Sequence, residues 1–69
     1  MKMSRLKLAV RQFETFLISE ELRKHDGNIC KTAEALGEHR NNINRAIKHL
    51  GIDVEEIKRE LKNGHKEEM

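Results

Sequence analysis

The sequence predicts an all-α domain of four helices, and three observations carry that prediction. Apolar residues recur at spacings of three and four, no strand pattern competes, and the breaks fall at glycine, asparagine and aspartate in a chain without proline. Gly27-Asn28, Gly37 and Gly51 then divide the chain into helices over 4–25, 29–36, 39–50 and 54–62. The expected layout is a long N-terminal dimerisation helix, a helix-turn-helix and a short C-terminal helix. It forms one domain over 1–62 with a polar, frayed tail over 63–69.

Each boundary has a chemical reason. At Gly27-Asn28, glycine supplies the left-handed residue that ends one helix, and Asn28 caps the next. Gly37 permits the positive φ of a tight interhelical turn. Asp53, with Glu56 three residues on, forms a capping box, and Ile52 and Ile57 fit the accompanying hydrophobic staple.

The first helix is apolar on two sides. Leu6, Ala9, Val10, Phe13, Phe16 and Leu17 form one stripe, while Leu8, Ile18 and Leu22 point the other way. Two apolar sides imply two partners. Ile18 and Leu22 are expected to pack on the following helices. Leu6, Val10, Phe13 and Leu17 are expected to meet their counterparts in a second chain across a two-fold axis. Length points the same way, because 69 residues, 36% of them hydrophobic and only Phe13 and Phe16 aromatic, make a small core that needs support.

Charge is distributed unevenly. The formal net charge is only +2. Residues 23–50 nevertheless hold Arg23, Lys24, Lys31, Arg40, Arg45 and Lys48 against Asp26, Glu34 and Glu38, with His25, His39 and His49 besides. A basic face, if present, lies there. Within this segment Ala33 is small where two helices cross, Gly37 follows four residues later, and Leu36, Ile43, Ile47 and Leu50 point inward. With that stripe inside, the third helix turns Asn41, Asn44, Arg45 and Lys48 outward. Arginine pairs with guanine, asparagine pairs with adenine, and lysine neutralises phosphate. Asn41, Asn42 and Asn44 also weaken the helix that holds them, which points to a task other than helix formation.

Residues 8–52 resemble the Fis-type helix-turn-helix, found in the nucleoid protein Fis and in the C-terminal domains of NtrC-class activators of sigma-54 transcription. The resemblance rests on Phe13-Glu14, Ile18, Leu22, Gly27-Asn28, Ala33, Leu36-Gly37, Arg40-Asn41-Asn42-Ile43 and Leu50-Gly51-Ile52. It implies a dimer through the first helix, base-edge positions at Arg40, Asn42 and Arg45, and phosphate positions at Asn28 and Lys31. Arg45 satisfies both the helical wheel and the resemblance. Three residues depart from the family pattern. Glu38 stands where an apolar residue is usual, His39 replaces a small or polar cap and is expected to lean toward a phosphate, and Ala46 replaces a common lysine.

The expected function is sequence-specific binding of palindromic double-stranded DNA by a homodimer, as the DNA-binding domain of an NtrC-like regulator. The receiver and ATPase domains of such a regulator would lie outside this chain. The short segment before Leu6 favours that reading over a free-standing Fis-like nucleoid protein; a helical protein-interaction module is the alternative from another class. Cys30 is the sole cysteine, so no internal disulfide forms, and with His25 it does not complete a zinc site. No cofactor, metal, catalytic residue or small-molecule substrate is expected. With no secretory signal or membrane-length apolar run, the expected setting is the cytoplasm, associated with the nucleoid.

Overall fold

Every helix in this protein opens where a side chain takes up a backbone N–H that the helix itself leaves unpaired. In the computed structural model, which describes residues 4–67 with side chains through residue 62, the helices are α1 Arg5–Lys24, α2 Ile29–Leu36, α3 Arg40–Leu50 and α4 Val54–Glu67. Ser4 Oγ accepts from the Lys7 N–H at 3.1 Å, and Asn28 Oδ1 accepts from the Lys31 N–H at 3.0 Å. His39 Nδ1 accepts from the Asn41 N–H at 3.1 Å, and Asp53 Oδ1 from the Glu56 N–H at 3.0 Å. Each cap is worth about 1 kcal/mol. Ser4 and His39, expected as first helical residues, are therefore caps just outside their helices.

The corner between α1 and α2 takes two successive left-handed residues, Asp26 at φ 56° and Gly27 at φ 79°. The Gly27 N–H donates to the Leu22 carbonyl at 2.7 Å and closes α1. Gly27 also admits α4, since a Cβ there would stand 2.7 Å from Lys58 Cγ. At the next corner Gly37 has φ 71°, and the Glu38 N–H donates to the Ala33 carbonyl at 2.8 Å, which seals the end of α2.

The core draws on all four helices. Ile18 and Leu22 of α1, Ala33 of α2, Ile43 and Ile47 of α3, and Ile57 of α4 are buried, with Ile29, Leu36, Leu50, Ile52, Val54 and Leu61 packed around them. The inward stripes of α2 and α3 fall where their spacing placed them. Thr32 is also fully buried, and its hydroxyl lies 3.5 Å from the Glu21 carbonyl, a contact that joins α2 to α1.

Two outcomes differ from expectation. The last helix runs to Glu67, so residues 63–67 of the expected frayed tail continue α4, and residues 68 and 69 lie outside the described residues. A nucleated helix adds a hydrogen bond with each further residue, and a polar segment with Gly64 need not stop it. Leu8, on the same side of α1 as Ile18, stays exposed because it lies N-terminal to the part of α1 that the other helices cover.

Candidate nucleic-acid interface

α3 is amphipathic, and its packing fixes which side faces outward. Burial of Ile43 and Ile47 leaves Arg40, Asn41, Asn42, Asn44, Arg45 and Lys48 exposed. Asn41, Asn44, Arg45 and Lys48 recur at spacings of three and four and form one continuous face. Arg40 and Asn42 flank it at the helix start. At the opposite end Arg11 of α1 donates through Nη2 to the His49 carbonyl at 3.1 Å, taking up one of the unpaired carbonyls there and fixing α3 against α1.

Four of the candidate contact residues already have local partners. Asn42 Nδ2 donates to Glu38 Oε1 at 3.0 Å. Arg40 Nη1 lies 3.8 Å from Cys30 Sγ, so its guanidinium leans back over the first turn of α2. His39 uses Nδ1 as the cap, which in the neutral imidazole leaves Nε2–H as a donor. Asn28 likewise spends Oδ1 on its cap and keeps its NH2 group. Both remain chemically able to donate to a phosphate oxygen. Lys31, on the first turn of α2, is exposed.

The ion pairs account for only some of the basic residues. Arg23 meets Glu20 at 3.5 Å and Glu60 at 3.3 Å, Lys24 meets Glu21 at 3.2 Å, and Lys58 meets Glu55 at 4.0 Å. His25 lies 3.5 Å from Glu21. Among the described residues, every such pair belongs to the C-terminal turns of α1, the corner after it or α4, and none involves Lys31, Arg40, Arg45 or Lys48. The excess of positive charge expected over 23–50 thus resolves into a compensated part at Arg23 and Lys24 and an uncompensated part on α2 and α3.

Several features of this region carry no periodic signal. Ala46, which stands where the family commonly has a lysine, packs partly buried against the core on the α1 side. Beside it lies an open groove of about 380 Å³ with Leu17, Ile18, Leu36 and Ile43 as its apolar lining and Glu14 and Glu38 among its polar residues. The Glu38–Asn42 bond had a legible signal in the i, i+4 spacing of a carboxylate and an amide. The Arg11–His49 contact had none, since the residues are 38 apart in sequence. Among the described residues no helix is long and apolar enough to cross a membrane.

The model described as bacterial regulatory protein, Fis family, matches residues 9–50. Comparison with curated proteins and with solved structures gives no match. The matched segment runs from the second turn of α1 to the last residue of α3, more than half of the sequence, and the chain belongs to the Fis family of bacterial regulatory proteins.

Proposed function

We propose that this domain binds double-stranded DNA as a homodimer and reads a palindromic site by placing α3 in the major groove. The observation that carries the reading is the α2–α3 surface, where exposed arginines, lysines and asparagines stand together and Lys31, Arg40, Arg45 and Lys48 form none of the ion pairs, among the described residues, that Arg23, Lys24 and Lys58 form. Asn44 and Arg45 face base edges from the middle of the helix, and Arg40, Asn41 and Asn42 do so from its first turn. Asn28, Lys31, His39 and Lys48 contact phosphates and set the docking angle. Arg40 reaches the duplex by giving up its weak contact with Cys30, an inexpensive exchange for a charged hydrogen bond.

The dimer reading rests on α1. Leu6 is 74% exposed, Phe13 63% and Val10 50%, with Leu17 at the margin of exposure. A helix whose first half lies outside the body is marginal alone, because isolated helices shorter than about 12–15 residues seldom hold in water. The stripe Leu6, Val10, Phe13, Leu17 is symmetric about its midpoint. An antiparallel pairing sets Leu6 opposite Leu17 of a second copy and Val10 opposite Phe13, which closes the assembly at two subunits. Leu17 also lines the apolar groove beside α3 and extends the same surface.

The finer assignment is the DNA-binding domain of an NtrC-like, sigma-54-dependent regulator, with receiver and ATPase domains elsewhere in the full protein. Its support is the sequence resemblance. Titration of wild type and Arg45→Ala against a selected palindromic duplex and a random one tests base reading. The expected loss for Arg45→Ala is about 1–3 kcal/mol on the palindrome and much less on random DNA. Equal losses on both would remove Arg45 from the reading set. Binding by wild type that is insensitive to salt would instead favour a protein-interaction module.

A further inference from the structure

A carboxylate at the edge of a phosphate-binding face weakens attraction to every DNA sequence alike, so Glu38 needs a reason to be where it is. Glu38 is exposed, directly precedes the cap of α3 and accepts from Asn42 Nδ2 at 3.0 Å. The orientation of that amide is chemically determined. An ionised carboxylate can only accept, so the NH2 group of Asn42 must face it, and Oδ1 is turned away. The positive end of the α3 dipole holds the Glu38 charge in place.

We infer that Glu38 is a specificity-determining positioning residue: it fixes Asn42 so that Oδ1 leads toward the bases, and its charge suppresses binding to unmatched DNA. The inference rests on the reading of α3 as the groove-binding helix. An oxygen-led amide favours bases that offer an exocyclic amine, adenine N6 or cytosine N4, over guanine O6 and thymine O4. Without Glu38, Asn42 is free to turn over and present either edge. The same carboxylate opposes the phosphates of any duplex that does not supply the matched contacts, which widens the gap between specific and random binding.

Wild type, Glu38→Ala, Glu38→Gln, Asn42→Ala and the Glu38→Ala/Asn42→Ala double variant are each used to select bound duplexes from a random pool. Each is then titrated on the wild-type consensus and on random DNA over a range of salt. Glu38→Ala is expected to flatten the preference for adenine or cytosine at one position per half-site by about tenfold. It should also bind random DNA roughly three- to tenfold more tightly, with a steeper salt slope. Glu38→Gln removes the charge and can donate as well as accept, so it no longer dictates which edge of Asn42 turns outward; it should lose the preference as Glu38→Ala does and also gain random affinity. The double variant should lose no more preference than Asn42→Ala alone, because one residue acts through the other.

A residue that only shapes the turn would lower the melting temperature and shift all duplexes equally. An unchanged preference in Glu38→Ala, or losses that add in the double variant, overturns the proposal. If wild type itself selects no sequence, the DNA reading fails first, and that result is visible without any variant.

Discussion

The first half of α1 and the outer face of α3 are both exposed, and both are left chemically unsatisfied, but in opposite currencies. On α1 the unsatisfied groups are apolar: among the described residues nothing covers Leu6, Val10 and Phe13, which stand exposed. On α3 they are charged and amide groups, and among the described residues Arg40, Arg45 and Lys48 form no ion pair, whereas Arg23, Lys24 and Lys58 each meet a carboxylate. An apolar surface is relieved by another apolar surface, through an interaction that salt does not weaken. A cationic surface is relieved by an anion, through one that salt weakens steeply. A single small body therefore presents two surfaces that call for different partners, and the core between them holds the two at a fixed angle.

That contrast can be broken most severely at the core both surfaces share. Leu22 is fully buried, and Leu22→Ala should cost about 2–5 kcal/mol, most of what a domain this small has. Urea unfolding should show the loss, and dimerisation and DNA binding should disappear together. Survival of either one would mean that its surface does not depend on this body. A more selective break is Phe13→Glu. The side chain is exposed and outside the core, so the folded body survives, and circular dichroism should lose no more than the helicity of the first half of α1. Sedimentation should show monomers, and affinity for the palindrome should fall about a hundredfold or more, because two half-sites then bind independently. The smallest effect is expected for Lys31→Ala. It should weaken palindromic and random duplexes by the same few-fold and reduce the salt slope by about one unit, without altering sedimentation.

What could be read from the sequence was whatever is local or periodic. Asn28 and Asp53 announce their helices because a cap needs only a short polar side chain and an N–H three residues away. Gly27 and Gly37 announce corners because few other residues tolerate a positive φ. Ile43 and Ile47 reveal the inward side of α3, and with it the exposed side of Arg45. Less legible was whatever depends on how helices dock. Thr32 is polar by composition yet fully buried against α1, and Ala46 turns toward α1 for the same reason. Leu8 has the helical phase of a core residue but lies beyond the reach of the other helices. Asp26 takes a positive φ because the corner needs two such residues in succession, one more than Gly27 alone suggested.

His39 lay between these classes. Its departure from the family's small or polar cap suggested a phosphate contact, whereas the structure first engages one ring nitrogen with the backbone of Asn41. The two tasks fall to different nitrogens and do not compete. Glu38 also gains a task from its neighbour, since a residue standing where the family usually has an apolar one is the hydrogen-bond partner of Asn42.

The bond from Arg11 to the His49 carbonyl has a geometric consequence. It ties the rod that would join two subunits to the far end of the helix that would enter the groove, so neither can swivel without disturbing the other. On the proposed dimer, the distance between the two inserted helices is then built into the protein, and the domain acts as a ruler along the duplex. A palindrome lengthened by one base pair at its centre would offer its second half-site at the wrong height and the wrong azimuth, and the stiff linkage leaves little slack to follow it.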